Sequence, residues 1–232
     1  MTVLAALFSI IVSDLVLSGD NALVIGMAVH DLDAKNRRLA ILLGTAGAIG
    51  LRFLFTLTAS FLLRVPLISA LGGLALFYIG YKLFSDSSGP SRGSTRAGLI
   101  GAIQTIVIAD AVMSLDNALA VAGAANGHVG LLIIGLAITI PLLMVGADLI
   151  AGLFNRFRGL LTLGAAVIAW TGATLICNDE LLGRLLPGLT DAPVRFLLGL
   201  AAIAGVLLAA QWPRWRDARQ PETQPAEGRQ GR

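Results

Sequence analysis

Two acidic motifs inside apolar segments constrain this chain more than any other feature of its sequence. The first reads DLVLSGDNAL from Asp14 to Leu23, and the second reads DAVMSLDNAL from Asp110 to Leu119. A carboxylate at the centre of a bilayer costs about 2.5–3.5 kcal/mol on insertion scales, so the four aspartates together cost on the order of 10 kcal/mol. We therefore expect these side chains to face a wet cavity, to be protonated or to share a cation.

The composition supports a membrane protein. Of the 232 residues, 56% are hydrophobic and 13% are charged, whereas a soluble domain has roughly 45–50% and about 25%. The net charge of +3 is concentrated in short loops and a tail, and no basic face with interleaved aromatic residues is present, so a nucleic-acid partner is not expected. The single cysteine, Cys177, excludes an internal disulfide framework and a cysteine-based metal site.

Seven apolar segments predict an all-α, polytopic membrane protein. A helix needs about 20 apolar residues to cross a hydrocarbon core roughly 30 Å thick. The predicted spans cover residues 3–29, 39–62, 66–84, 98–124, 129–153, 159–178 and 193–211. They form a single transmembrane domain over residues 1–211, and the polar remainder at 212–232 is expected to be a disordered cytoplasmic tail.

The basic residues predict how the spans are oriented. Of the 17 Lys and Arg residues, 13 fall in the loops after the first, third and fifth spans or in the C-terminal tail, and three fall on the other side. Arg52 is the one that remains, and it lies inside the second span. The positive-inside rule then places the N-terminus outside and the C-terminus in the cytoplasm. His30 and His128 fall at opposite faces and are interpreted as ordinary loop histidines.

The two motifs repeat with a fixed offset of 96 residues. The matched pairs are Asp14 with Asp110, Ser18 with Ser114, Asp20 with Asp116, and Asn21 with Asn117. The offset covers three spans, an odd number, so repeat A at 3–84 and repeat B at 98–178 cross the membrane in opposite senses. This is the pattern of an inverted 3+3 repeat with one additional C-terminal helix, and in such transporters the substrate site lies near the midplane between the halves.

The matched side chains are a set of hard oxygen donors. Carboxylate, amide and hydroxyl oxygens suit Mn²⁺, Ca²⁺ or Mg²⁺ better than Cu⁺ or Zn²⁺. The candidate metal ligands are Asp14, Asp20, Asn21, Asp110, Asp116 and Asn117, with Ser18 and Ser114 in support. On a regular helix Asp20 points roughly 120° away from the other ligands of its motif, so we expect a break near Gly19 to turn it inward.

Two interpretations of this set stay open. Four acids around one divalent ion leave surplus negative charge, and coupled proton exchange becomes an expectation through that surplus. In the structural alternative, the acids cap broken helices or form hydrogen bonds across the helix bundle, and the serines serve close helix packing.

A second charged pair follows the same repeat. Arg52 lies in the second span and Asp148 lies in the fifth, also 96 residues apart. An ion pair between them across the pseudo-twofold axis would offset the cost of burying both. Its role stays open between a structural bridge and a gate or proton-linked switch, with a further alternative in which Asp148 faces the metal cavity.

The motif pair DLVLSGDNAL and DAVMSLDNAL resembles the TerC family of integral membrane proteins over spans 1 to 6, and the length and short loops are most similar to its YjbE-like branch of metal transporters. Arg52 fits the family pattern, whereas Asp148 does not belong to it. The resemblance implies a bacterial cytoplasmic-membrane protein of the LysE-like superfamily. Several members are linked to Mn²⁺ efflux, others carry a tellurite-resistance label, and some are tied to supplying metal to exported enzymes. It also implies that the six Asp and Asn positions named above line the ion path.

The leading interpretation is a secondary transporter that exports a divalent metal ion, with Mn²⁺ taken mainly from the resemblance and Ca²⁺ or Mg²⁺ left open by the donor chemistry. One alternative is an exporter of a small organic cation such as a basic amino acid, for which Arg52 is the only buried anchor for a carboxylate. Another is a membrane scaffold that supplies metal to exported proteins. No Gly-rich phosphate loop, nucleophile–base pair or zincin motif is present, so neither an enzyme nor a prosthetic group is expected.

The expected partners are therefore few. They are the lipid bilayer, the transported divalent ion and protons as a coupling ion. The small residues Gly44, Gly47 and Gly50 permit close helix packing, either within one chain or in a homodimer.

Overall fold

The computed structural model describes residues 8, 11–12, 19–62, 65–86, 96–125, 129–157 and 159–217. Eight α-helices and one 3-10 turn are found in these residues, with no strand among them. The helices are α1 (Gly19–Val29), α2 (Ala34–Leu62), α3 (Ile68–Asp86), α4 (Arg96–Ala125), α5 (Val129–Arg156), α6 (Gly159–Cys177), α7 (Glu180–Leu185) and α8 (Ala192–Asp217). The predicted all-helical, polytopic membrane fold is confirmed.

Five of the described helices contain segments that are long and apolar enough to cross a membrane. These segments are Ala34–Phe55, Ile68–Asp86, Gly98–Leu115, Gly159–Cys177 and Ala192–Gln211. They coincide with the second, third, fourth, sixth and seventh predicted spans. The other two predicted spans correspond to α1, a short apolar helix of 11 residues in its described part, and to α5, which has 28 residues and contains Pro141.

Helices extend past the predicted apolar spans where polar residues continue the backbone hydrogen bonding into water. α2 begins at Ala34 rather than at residue 39, and Lys35 and Arg37 lie in its first turns. α8 continues past the last predicted span to Asp217, and residues 218–232 lie outside the described part, so the cytoplasmic tail at 212–232 stays a prediction. The predicted loop after the sixth span contains α7 and a 3-10 turn at Pro187–Thr190. The single-domain boundary at 1–211 stays a prediction.

The packing of the helices follows the internal repeat. α2 packs along α4, and its counterpart in the second repeat, α5, packs along α1. α3 packs on α6, and α1 contacts α4. Each of these two pairs joins equivalent helices of the two repeats, so exchanging the repeats leaves the pair unchanged. Exchanging α1–α3 with α4–α6 therefore returns the principal helix contacts, as an internal repeat requires, and the inverted sense of the repeat stays a prediction. α8 packs on α3 and α6 and lies outside this symmetry.

Basic residues lie at one end of the helix bundle. α1 and α3 end, and α4 begins, around one shared cavity, while Met27 near the end of α1 meets Phe154 and Gly164 at the junction of α5 and α6. Lys35 and Lys82 also lie near this end, which we call the basic end.

Asp179 closes the opposite end of the bundle. Its carboxylate accepts hydrogen bonds from the N–H groups of Leu181 and Leu182 in α7, both at 3.1 Å, and from the N–H of Ala70 in α3 at 3.2 Å. The side chain is 3% exposed. One buried carboxylate thus caps α7 and fastens it to the first turn of α3.

Glycines allow two pairs of helices to approach closely. A Cβ atom added to Gly172 in α6 would lie 2.8 Å from the carbonyl oxygen of Gly73 in α3 and 2.8 Å from a ring carbon of Phe77. A Cβ added to Gly44 in α2 would lie 2.9 Å from the side chain of Ile106 in α4. The small-residue face of α2 is therefore used for packing within the chain at Gly44.

The close approach of α3 and α6 leads us to a prediction about stability. Gly172→Ala should destabilise the protein by about 1–3 kcal/mol, because the added methyl group overpacks the crossing. Gly146→Ala in α5 is the control, since an added Cβ meets nothing within 4 Å there. Unfolding can be followed through Cys177, the only cysteine, which is buried and reacts with a thiol reagent when the bundle opens. Equal melting temperatures for the two variants would contradict the close crossing.

Candidate cation site

A buried ion pair joins the two repeats. Nη2 of Arg52 in α2 donates to Oδ1 of Asp110 in α4 at 2.7 Å, and the side chains are 3% and 8% exposed. Nε of Arg52 donates to the Ser114 hydroxyl at 3.0 Å, and that hydroxyl donates to Oδ2 of Asp110 at 3.2 Å. The three side chains form a closed ring of hydrogen bonds, in which the charged partners strengthen each bond.

Local helix geometry explains this ring. Asp110 and Ser114 are four residues apart in α4, so they lie one turn from each other on the same face. α2 packs along that face of α4 and brings the Arg52 guanidinium between the two acceptors. A charge in an apolar bundle needs this degree of pairing, because its desolvation costs several kcal/mol.

Asn21 connects the ring to α1. Its Nδ2 donates to Oδ1 of Asp110 at 2.8 Å, the same oxygen that accepts from Arg52. Asn21 is 2% exposed, and its Oδ1 has no hydrogen-bond partner in the described part of the chain. A buried acceptor without a donor costs about 1–3 kcal/mol. This oxygen is therefore a place where a cation or a donor would be stabilised.

Asp20 precedes Asn21 and faces a different helix. Its Oδ1 accepts from the N–H of Asn21 at 3.0 Å, and its Oδ2 accepts from the hydroxyl of Thr171 in α6 at 3.3 Å. Successive residues of a helix are separated by about 100°, so Asn21 reaches α4 while Asp20 reaches α6. The first turn of α1 therefore presents an amide group and a carboxylate toward two different helices, both of the second repeat.

The structure brings together four of the predicted site residues. Asn21, Arg52, Asp110 and Ser114 form one hydrogen-bonded cluster, which we call the central cluster, and Asp20 adjoins it through the backbone of α1.

The remaining predicted ligands are not tested by these contacts. Asp14 and Ser18 lie outside the described residues, and Asp116 and Asn117 lie on α4 where only the backbone is described. No group of three or more His, Cys, Asp or Glu side chains that could hold a metal ion occurs among the described side chains. The six-residue ligand set therefore stays a prediction.

The expected ion pair between Arg52 and Asp148 is wrong. Arg52 pairs with Asp110, and Asp148 is exposed on α5 between Val145 and Leu149, which are 71% and 73% exposed. Equivalent positions of a repeat meet only near the symmetry axis. Arg52 instead meets the motif helix α4, against which α2 packs.

Two polar side chains near the site escaped the sequence analysis. Thr171 supports Asp20, but the position 96 residues earlier is Ala75, so the repeat did not indicate it. A hydroxyl in an apolar span was the available signal, but Thr162 and Thr174 in the same span carry the same signal. His30, interpreted as a loop residue, is 8% exposed, with Nδ1 donating to the carbonyl oxygen of Met27 at 2.7 Å and Nε2 lying 3.2 Å from Oδ1 of Asp31.

These features define an all-helical integral membrane protein with a charge-paired polar site where its two repeats meet. The chain belongs to the TerC family of integral membrane proteins, because the sequence profile of the family described as "Integral membrane protein TerC family" matches residues 1–218. The resemblance noted from the two motifs is thereby confirmed.

Two relatives illustrate the extent of this similarity. The chain is 38% identical over 207 residues to the uncharacterized membrane protein YjbE of Bacillus subtilis (strain 168), which covers 89% of this chain and 94% of that protein. It is 28% identical over 192 residues to the UPF0053 inner membrane protein YgdQ of Escherichia coli (strain K12), which covers 75% of this chain and 81% of that protein. No solved structure matches the chain significantly.

The central cluster leads us to predict that Arg52 and Asp110 are energetically coupled. Arg52→Met should destabilise the protein by about 3–5 kcal/mol, because Asp110 then stays buried without its counter-charge. The double variant Arg52→Met/Asp110→Asn should recover a large part of that loss, since the charge of Asp110 is removed together with that of Arg52. Both can be measured by thermal unfolding in detergent with Cys177 as the reporter. Losses that simply add in the double variant would contradict a coupled ion pair.

Proposed function

We propose that the protein is a secondary transporter that exports a divalent metal ion, Mn²⁺, from the cytoplasm through the site between its two repeats. The observation that carries this proposal is the Oδ1 atom of Asn21, a buried oxygen that lacks a hydrogen-bond partner among the described residues. The Asp20 carboxylate is its immediate neighbour in the chain. A cation between these groups would satisfy the orphaned acceptor and the charge of the acid together.

The charge balance of the site supports a cation. Arg52 neutralises Asp110, whereas the described contacts of Asp20 are the Thr171 hydroxyl and a backbone N–H. Arg52 attracts the Asp20 carboxylate through space, but within the described residues Asp20 has no direct ion pair. A transported ion that completes this pairing is bound tightly enough to be selected, and protonation of Asp20 in exchange would release it.

The identity and direction of the cargo rest on chemistry and family together. Hard oxygen donors favour Mn²⁺, Mg²⁺ or Ca²⁺ over softer ions, and we choose Mn²⁺ and export among the alternatives because of the resemblance to the TerC family. The positive-inside rule gives the accompanying orientation in the bacterial cytoplasmic membrane, with the N-terminus outside and the basic end in the cytoplasm. Protons are the proposed coupling ion.

The pairing of Arg52 argues against an exporter of basic amino acids. Such a substrate carries a carboxylate, and Arg52 is the buried cation that the sequence offers as its anchor. The guanidinium of Arg52 already donates hydrogen bonds to Asp110 and Ser114. A substrate carboxylate would therefore have to displace Asp110 from a buried ion pair.

Flux across a membrane tests the transport proposal. Asp20→Asn should abolish Mn²⁺ flux in proteoliposomes, because the neutral amide no longer compensates the charge of the ion. Asp191→Asn is the matched control, since Asp191 is exposed at the opposite end from the basic loops and its flux should equal that of the wild type. Flux of Asp20→Asn at the wild-type level would refute the proposal, and metal binding without flux in the wild type would favour a scaffold that hands metal to exported proteins.

Stabilisation by metal tests the role of Asn21 separately. Mn²⁺ at about 100 times its dissociation constant stabilises a folded protein by about 2.7 kcal/mol, so it should raise the melting temperature of the wild type, and EDTA should reverse the rise. Asn21→Leu removes the orphaned oxygen and should lose this shift. Asn178→Leu, an exposed position after α6, should keep it. An undiminished shift in Asn21→Leu would show that the metal binds elsewhere.

A further inference from the structure

A cavity of about 380 Å³ opens at the basic end of the bundle. It lies between the end of α1, the end of α3 and the start of α4. Its inner wall includes Ala28 and Thr105, and its rim carries His30, Asp31 and Asp86. At roughly 30 Å³ per water molecule, this volume holds about a dozen waters, enough for a divalent ion with its complete shell of six.

The cavity does not reach the central cluster. Seven residues of α1 separate Ala28 from Asn21, which is about 10 Å along a helix, and five residues of α4 separate Thr105 from Asp110, which is about 8 Å. The cavity and the cluster therefore lie on the same two helices, roughly two turns apart.

Four apolar side chains lie between the cavity and the central cluster. Val24 and Ile25 of α1, together with Ile106 and Ala109 of α4, are each between 1% and 3% exposed. Val24 belongs to the same packed cluster as Ala109, and Ile25 to the same packed cluster as Ile106. We call these four residues the apolar plug. A hydrated ion cannot cross such a layer unless the helices separate, because the side chains offer no oxygen to replace its waters.

Carboxylates and helix ends supply groups at the rim that attract cations. Among the described lining residues, Asp31 and Asp86 carry carboxylates and Lys82 carries an ammonium. Arg37 of α2 donates to the carbonyl oxygens of His30 and Leu32 at the end of α1. α1 and α3 both end at this rim, and the carbonyl ends of helices attract positive charge, while one helix, α4, begins there. His30 holds Asp31 at the rim, with its Nε2 3.2 Å from the Asp31 carboxylate.

We propose that this cavity is the vestibule through which a hydrated divalent cation approaches the site, and that the apolar plug is the closed gate between them. The proposal rests on the proposed transport function and adds its route of access. In the orientation proposed above, the vestibule opens to the cytoplasm. Movement of α1 against α4 at the plug then becomes the step that admits the ion.

Accessibility of single cysteines tests the vestibule without relying on transport. In a Cys177→Ala background, Ala28→Cys and Thr105→Cys should react with a membrane-impermeant thiol reagent in inside-out vesicles and stay unreacted in right-side-out vesicles. Ala109→Cys, beyond the cavity, should react far more slowly from either side. Millimolar Mn²⁺ should slow the reaction at Thr105→Cys. If Ala28→Cys and Thr105→Cys are as unreactive as Ala109→Cys, the vestibule is overturned.

Filling the cavity tests whether the ion passes through it. A Cβ added to Gly101, which lines the cavity, meets nothing within 4 Å, and the same holds for Gly205 on α8. Gly101→Leu should therefore fold and reduce Mn²⁺ flux toward the background of empty liposomes, whereas Gly205→Leu should transport like the wild type. Equal flux in both variants overturns the vestibule but leaves the proposed function standing. Absence of flux in the wild type overturns both.

Opposite charge changes at the rim give a result that structural damage would not produce. Asp31→Asn should raise the KM for Mn²⁺ on the cytoplasmic side severalfold at low salt, and Lys82→Gln should lower it, because the rim field concentrates the cation. Both effects should shrink at high ionic strength, where the field is screened. Changes of the same sign in the two variants would contradict the electrostatic role of the rim.

Discussion

The buried pair of Arg52 and Asp110 is the interaction on which the rest of the structure depends. A charged group inside an apolar bundle is stable only when its partner and its hydrogen bonds are supplied together. Ser114 and Asn21 contribute to that set, so α1, α2 and α4 are joined at the level of the central cluster. The location of Asn21, and therefore of the neighbouring Asp20, follows from this requirement.

The same pair makes the two repeats chemically different although their motifs are alike. Arg52 in the first repeat corresponds to Asp148 in the second, and the structure uses the arginine for the buried cluster while it leaves the aspartate exposed on α5. Asp110 is therefore charge-balanced, whereas Asp20 has a hydroxyl partner in Thr171. Under the proposed function, Asp20 is the acid that receives the transported cation, and the apolar plug separates it from the vestibule.

The sequence named residues that belong to a local motif, but it did not give the contacts that depend on the packing of different helices. Asp110, Ser114 and Asn21 were named from the two motifs, and the structure joins them by hydrogen bonds, while their role in a metal site stays a prediction. The partner of Arg52 was wrong, because a repeat gives equivalent positions and not contacts. Thr171 and His30 were missed, because each forms its hydrogen bond only after another helix or turn has folded against it.

The sequence by itself determined that the chain is an all-helical membrane protein with a repeated acidic motif, because apolar length and the cost of buried charge are properties of local residues. It also determined the set of hard oxygen donors. Only the tertiary structure decided that Asp110 forms an ion pair with Arg52 and that Oδ1 of Asn21 has no hydrogen-bond partner among the described residues. It also decided that a cavity ends about two helical turns from Asn21. Those features depend on which helix faces meet, and that choice is made by the packing energy of the whole bundle.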